Sequence, residues 1–158
     1  MRVLAMKLRT TVFLLAGYML ATVSVFAQSK VNIASLQAKP AQEAMYKLSI
    51  ELERELPANA EIVLEFPEKY DLATIKIAGS NEIKGGISYE TAQNKLTLKR
   101  SGLGAAIAVG EKVSIVFGPL KNPDDLGKDL WAKVVLPNQA ATSTVREKIQ
   151  FESYQIRQ

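Results

Sequence analysis

The chain has 158 residues, with 20 Lys and Arg against 16 Asp and Glu, and it contains neither histidine nor cysteine. Without these two residue types it cannot build a Ser-His-Asp or Cys-His catalytic group, and it lacks the ligands that most zinc and copper sites use. Any catalysis would have to rest on carboxylates or lysines.

The first segment, residues 1–27, has the pattern of a secretory signal peptide. Three basic residues precede or flank the start of a short apolar run over 12–20, and Val-Phe-Ala at 25–27 is typical of a cleavage site. An uncleaved membrane anchor is the alternative, but a spanning helix needs about 20 apolar residues, and Thr22 and Ser24 interrupt the apolar sequence that continues beyond residue 20. We therefore predict a β-rich mature domain over 28–158, with no stable membrane insertion after cleavage.

Cleavage would change the charge of the chain and the class of partner that it favours. Residues 1–27 hold three basic residues and no acid, so the formal charge of +4 falls to roughly +1 in the mature domain. Nucleic acids and anionic membranes require a concentrated positive patch, so we expect neither as a partner. The signal-like segment implies a periplasmic or extracellular location, and the absence of cysteine favours a bacterial export route, because exported eukaryotic domains commonly use disulfides.

After residue 28 the dominant pattern is an alternation of apolar and polar residues, which is typical of strands with one buried face. In the first long segment Tyr46, Leu48, Ile50 and Leu52 alternate with polar or charged residues. Together with 31–36 and 130–136, similar segments predict about nine strands. The other alternating positions are Ile62, Leu64 and Phe66; Ile75 and Ile77; Ile87 and Tyr89; Leu96 and Leu98; Val113, Ile115 and Phe117; and Ile149 and Phe151.

Turn-forming residues separate these segments, as in Pro57-Ala58-Asn59 and Lys84-Gly85-Gly86. No segment after residue 28 keeps a helical period long enough for a crossover helix, so a parallel α/β sheet is not expected. A helical piece of a turn or two is predicted within 104–109, over one end of the sandwich. The pattern predicts an all-β fold, an antiparallel two-sheet β-sandwich of about seven to nine strands.

Two stretches of sequence carry a resemblance, ELPANAEIVLEFPEKYDL at 55–72 and AIAVGEKVSIVFGPLKNPDDLG at 106–127. Their order is similar to that in immunoglobulin-like β-sandwich modules of exported bacterial surface and adhesion proteins. In those modules a strand ends in Phe-Pro, here Phe66-Pro67, and a later strand runs into an Asn-Pro turn, here Asn122-Pro123. The resemblance covers about 44–136, and it implies an immunoglobulin-like sandwich.

Paired carboxylates could hydrolyse a glycoside if two acids faced each other across a cleft. The candidates are Glu51, Glu53 and Glu55, and Glu61 with Glu65. Their spacing places them on the solvent-facing side of strands, where they would not gain the burial that shifts catalytic pKa values. We therefore predict no catalytic residue and no enzymatic activity, and a small carboxylate-based hydrolase is the most distant alternative.

The segment 122–129 is the densest group of oxygen ligands, and such groups can attract calcium. Its acidic residues are Asp124, Asp125 and Asp129. Their order does not match an EF-hand loop, and Asn, Pro, Asp and Gly are common in turns for conformational reasons alone. We predict a solvated acidic turn, with no bound metal and no cofactor.

Trp131 is the only tryptophan of the chain, and its position in a predicted strand is informative. In 130–136 the even-numbered residues are all apolar, which turns Trp131 and Lys133 to the outer face. Tyr154 would face outward in the same way near the last strand. Aromatic side chains on a polar face can anchor a protein or stack on a sugar. The alternative is that a bulge reverses the register or that a loop covers the indole.

The sequence thus predicts an exported, non-catalytic β-sandwich that acts as a protein-interaction or adhesion-type binding module. Its predicted ligand-binding residues are Trp131, Lys133 and Tyr154, and a carbohydrate-binding module is the alternative. Several coplanar exposed aromatics would favour a glycan, whereas one aromatic rimmed by mixed charges would favour a protein. Because at most two such aromatics are present, we favour an extracytoplasmic protein partner over a glycan.

Overall fold

The computed structural model describes residues 30–126, 130–136 and 143–151 of the chain. Within these ranges the alternating segments form nine β-strands, which confirms the predicted all-β class and the number of strands. The strands are β1 (Lys30–Ser35), β2 (Glu43–Glu51), β3 (Glu61–Glu65), β4 (Ile77–Gly79), β5 (Ile87–Ala92), β6 (Lys95–Arg100), β7 (Lys112–Lys121), β8 (Trp131–Leu136) and β9 (Ser143–Phe151).

Hydrogen bonds connect the nine strands in the order β4-β7-β2-β1-β9-β8-β3-β6-β5. β9 divides this order, because residues 143–148 pair antiparallel with β8 whereas residues 149–151 pair parallel with β1. One sheet therefore contains β4, β7, β2 and β1, and the other contains β8, β3, β6 and β5. The predicted antiparallel arrangement holds for every pairing among the described strands except β1 with β9.

One hydrophobic core lies between the two sheets. Tyr46 of β2 and Phe117 of β7 belong to one sheet, and Phe66 follows β3 in the other. The Phe66 ring lies 6.4 Å from the Tyr46 ring and 6.1 Å from the Phe117 ring, and all three side chains are buried. Such aromatic contacts add to the free energy gained by burying apolar surface. The core therefore supports the two-sheet sandwich arrangement.

The predicted helical turn within 104–109 is wrong. Ile107 instead forms a β-bridge with Leu56, with reciprocal N–O distances of 2.9 and 3.0 Å. Gly104 and Gly110, on either side of the bridge, have φ values of +87° and +85°, which interrupt any right-handed helix. Among the described residues the single helix is a 3-10 turn over Leu72–Thr74, capped by the Asp71 carboxylate.

The predicted strand at Ile75 and Ile77 is shorter than expected. Ile75 ends the 3-10 turn and is buried, and β4 begins only at Ile77, on the edge of its sheet. In the described parts of the chain, no helix reaches the length and apolar character that crossing a membrane requires.

Candidate functional site

β8 places Trp131 and Lys133 on the outer face of the sandwich. Along the strand Ala132 and Val134 are fully buried, while Trp131 is 41% exposed and Lys133 is exposed as well. β8 lies between β3 and β9, and the pairing with both is regular over the described residues. The predicted orientation of Trp131 and Lys133 is therefore confirmed, and no bulge reverses the register.

A shallow groove of about 600 Å³ runs beside the Trp131 ring, and we call it the Trp131 groove. Apolar side chains and a few charged ones line it. They are Glu65, Phe66, Pro67, Leu130, Trp131, Lys133, Thr144 and Arg146. These residues come from β3 and the chain just after it, from β8 and its preceding residue, and from β9. The groove therefore depends on three strands that are neighbours in the hydrogen-bonded order, namely β9, β8 and β3.

Two contacts of charged side chains connect residues that line the Trp131 groove. The Arg146 guanidinium lies 5.4 Å from the centroid of the Trp131 ring, which is within the range of a cation–π interaction. The Lys133 ammonium lies 3.4 Å from a Glu65 carboxylate oxygen. Sequence reasoning did not connect Arg146 or Glu65 with this groove, because cross-strand pairing brings them there and alternation within one strand does not reveal such pairing.

Tyr154, the third predicted binding residue, lies outside the described residues. The structure thus brings together two of the three predicted positions, Trp131 and Lys133. In the described ranges no loop covers the indole, so the alternative in which Trp131 is packed under a loop finds no support there.

Of the carboxylates considered for hydrolysis, Glu51, Glu61 and Glu65 lie on the outer faces of strands as predicted, whereas Glu53 and Glu55 lie in the connection between β2 and β3, where Glu53 is half-buried. Glu61 pairs with Lys99 at 3.5 Å, Glu65 with Lys133 at 3.4 Å, and Glu51 with Lys30 at 3.9 Å. Glu61 and Glu65 are thus engaged with separate cations rather than with each other.

The start of the predicted acidic turn differs from the expectation, because Asn122 is buried rather than solvated. Its Oδ1 accepts hydrogen bonds from the Tyr46 hydroxyl at 2.7 Å and the Ser35 hydroxyl at 2.9 Å. Its Nδ2 donates to the carbonyl oxygens of Gln37 at 2.6 Å and Lys39 at 2.9 Å. Burial raises the pKa of the Tyr46 phenol, which therefore stays protonated and donates.

We call Asn122, Tyr46 and Ser35 the Asn122 cluster. Because the Asn122 carboxamide is used inside the fold, it does not contribute an oxygen ligand to the neighbouring surface. Asp124 and Asp125 are exposed, whereas Asp129 lies outside the described residues. In the described part of the chain no three acidic side chains come together as a metal site.

Arg100 is another buried polar side chain, and its burial was not predicted from the sequence. It lies in β6, and its guanidinium donates to the carbonyl oxygens of Leu56 and Pro57, each at 2.7 Å, and of Ala105 at 2.8 Å. These acceptors belong to two connecting segments at one end of the sandwich. Arg100 therefore serves the fold, and burial lowers the pKa of its guanidinium.

No protein-family model matches the chain, and no curated protein sequence matches it. Solved structures do share its fold. The N-terminal domain of an adhesin from Streptococcus gordonii superposes with a TM-score of 0.51 and 14% identity, over 81% of this chain and 33% of that one. A cohesin module of a family 33 glycoside hydrolase from Clostridium perfringens gives a TM-score of 0.50 and 13% identity, over 79% of this chain and 97% of the module.

A third similar structure is an exo-β-N-acetylglucosaminidase from Vibrio harveyi. It has a TM-score of 0.46 and 13% identity, over 82% of this chain and 20% of that one. The chain thus spans a fifth of the glucosaminidase and a third of the adhesin structure, but nearly all of the cohesin module. At these identities the likeness concerns the fold. The adhesin domain and the cohesin module confirm the class-level resemblance to β-sandwich modules of bacterial surface proteins.

Proposed function

We propose that this chain is an exported, non-catalytic binding domain that holds a protein partner at the Trp131 groove. The observation that carries the proposal is the exposed Trp131 ring beside a groove with apolar walls and a charged rim. Aromatic residues and arginine are enriched at the centres of protein interfaces, where a few side chains supply most of the binding energy. Lys133 would contribute to the rim, and Tyr154 is the third binding residue in this proposal.

The arrangement supports a protein partner more than a glycan. Trp131 is the only aromatic side chain in the described residues that lies strongly exposed on this face. Phe66 and Leu130 reach the groove but are themselves buried, so they form its floor rather than a platform for sugar rings. A single aromatic next to Arg146, Lys133 and Glu65 provides an apolar anchor with a mixed-charge rim.

Export is the second part of the proposal. It rests on the signal-like pattern of 1–27, and it makes 28–158 the mature domain, located in the periplasm or outside the cell. Intact-mass measurement of the exported protein should find an N-terminus at Gln28. Retention of residues 1–27 in the exported protein would contradict this part.

The binding proposal is tested by affinity capture from a cell-envelope extract of the source organism. Immobilised wild-type domain is compared with Trp131→Ala and with the matched control Leu103→Ala. Leu103 is 66% exposed and follows the end of β6 that lies away from Trp131. The control therefore removes an exposed apolar side chain at the opposite end of the sandwich. Melting temperatures verify that both variants fold.

We expect at least one protein to be retained by the wild-type domain and by Leu103→Ala but lost with Trp131→Ala. Equal retention by all three proteins would overturn the assignment of the Trp131 groove. Capture of oligosaccharides in the same Trp131-dependent way, without a protein, would replace the protein partner by a glycan.

A further inference from the structure

The strand register places four charged side chains in a row across the outer face beside Trp131. Lys133 of β8 pairs with Arg146 of β9 on one side and with Glu65 of β3 on the other. Glu65 in turn pairs with Lys95 of β6. Because paired residues project to the same face, Arg146, Lys133, Glu65 and Lys95 lie side by side, and we call them the cationic row.

The cationic row carries more positive charge than its own carboxylate can balance. Lys133 is paired with Glu65, at 3.4 Å. Arg146 contacts the Trp131 ring, and neither Arg146 nor Lys95 has an acidic side chain within ion-pair distance among the described residues. With three cations and one carboxylate, the row has a net charge of +2.

At the opposite end of the same face, acidic side chains of the chain itself balance the positive charge. There Lys99 of β6 contacts two carboxylates, Glu61 at 3.5 Å and Glu90 at 3.0 Å, and these contacts raise the pKa of its ammonium. The cation at this end is already surrounded by acids of the chain itself. In the row next to Trp131, by contrast, Arg146 and Lys95 have no carboxylate within ion-pair distance among the described residues.

The cationic row and the Trp131 ring together define two properties that a ligand of the groove should have. An apolar group is needed to cover Trp131, and negative charges are needed along the row. Neighbouring strands lie about 4.8 Å apart, so the row extends roughly 14 Å from Arg146 to Lys95. An extended peptide covers about 3.4 Å with each residue, so four or five residues would follow the row.

We propose that the Trp131 groove binds an acidic polypeptide segment, with an apolar side chain of the segment on Trp131 and its carboxylates along the cationic row. This inference rests on the proposed function, because it names the kind of protein segment that the groove takes. The net positive row and the apolar wall together carry it, since a neutral apolar ligand would supply no negative charge to Arg146 and Lys95, which have no acidic partner among the described residues.

The test uses the intrinsic fluorescence of Trp131, which reports on the site directly because the chain has a single tryptophan. The probe is a short capped peptide with one leucine flanked by glutamates, and its matched control carries glutamines in place of the glutamates. A sulfated polysaccharide is titrated in parallel. The variants are Arg146→Gln and Lys95→Gln, with Lys76→Gln as the control that removes one exposed cation from the chain just before β4, in the other sheet.

We expect the glutamate peptide to change the Trp131 emission at lower concentrations than the glutamine peptide does, and added salt to weaken its binding. Each of Arg146→Gln and Lys95→Gln should weaken binding by about threefold, as expected for the loss of one solvent-exposed ion pair. Lys76→Gln should bind as the wild-type domain does. Far-ultraviolet dichroism verifies the fold of every variant.

Equal binding of the two peptides, or no binding of either, would overturn the acidic-segment proposal. So would binding that is insensitive to both Arg146→Gln and Lys95→Gln, or tighter binding of the sulfated polysaccharide than of the glutamate peptide. These outcomes are separate from the capture experiment. A protein retained through Trp131 but indifferent to the cationic row would leave the proposed function in place.

Discussion

Asn122 and Trp131 each stand out in the sequence, yet the fold uses them in opposite ways. The Asn122 carboxamide is buried, and four hydrogen bonds occupy its oxygen and its nitrogen. The Trp131 ring is 41% exposed, and Arg146 contacts it from the neighbouring strand. A buried polar group whose hydrogen bonds are all made within the fold is not available to a ligand. An exposed aromatic ring beside cations without acidic partners is available.

The comparison predicts the largest stability effect at Asn122. Asn122→Ala removes the acceptor of the Tyr46 and Ser35 hydroxyls and the donor to two backbone carbonyls. Each buried polar group left without a partner costs about 1–3 kcal/mol, so we expect the free energy of unfolding to fall by at least about 2 kcal/mol. Denaturant unfolding followed by Trp131 fluorescence measures this loss.

Tyr46→Phe is a milder substitution in the same Asn122 cluster. It removes one hydroxyl from the Asn122 cluster but keeps the ring that packs against Phe66 and Phe117. Its cost should be smaller, about 1 kcal/mol, because Asn122 Oδ1 still accepts from Ser35. If Asn122→Ala costs no more than a surface substitution, the Asn122 cluster does not stabilise the fold as described.

A smaller, pH-dependent effect is expected at Glu147, which neighbours Arg146 in β9 but faces inward. Its register partner is Ala132, which is fully buried, and burial raises the pKa of the Glu147 carboxyl. The folded state therefore takes up a proton at higher pH than the unfolded chain does. The contribution of Glu147 to stability grows as the pH falls through the raised pKa, and the gain is complete below the unfolded pKa.

Glu147→Gln should accordingly raise the melting temperature at about pH 7, and its advantage should shrink toward about pH 4, where the wild-type carboxyl is also neutral. Glu68→Gln, which removes one exposed carboxylate at a turn position, serves as the control substitution. An advantage that grows on acidification would have the wrong sign for a carboxyl destabilised by burial. Melting curves at the two pH values decide this.

The contrast between these sites also shows what the sequence could predict. Alternation of apolar and polar residues identified the strands and the outward orientation of Trp131, because side chains in a strand point to opposite faces in turn. It did not identify strand partners. The parallel pairing of β1 with β9, the contact of Arg146 with Trp131 and the cationic row all depend on register between strands distant in sequence.

Local composition led to a wrong prediction in two segments, and the reason is the same in both. The Asn122-Pro123 segment has the residues of an exposed turn, and 104–109 has short apolar side chains without a strand pattern. In both, long-range contacts decide the local structure. Asn122 is buried by hydrogen bonds to β1, β2 and the chain between them, and Ile107 pairs with Leu56. Such contacts leave no local signal in the sequence.

The proposed function requires that Trp131 lies at the surface of the sandwich and is not packed in its core. The most direct test is the free energy of unfolding of Trp131→Ala in denaturant, followed by far-ultraviolet dichroism because the variant has no tryptophan. We predict a loss of about 1 kcal/mol or less, as for most surface substitutions. A loss of about 3–5 kcal/mol, as for truncation of a buried tryptophan, would contradict the account by making Trp131 part of the core.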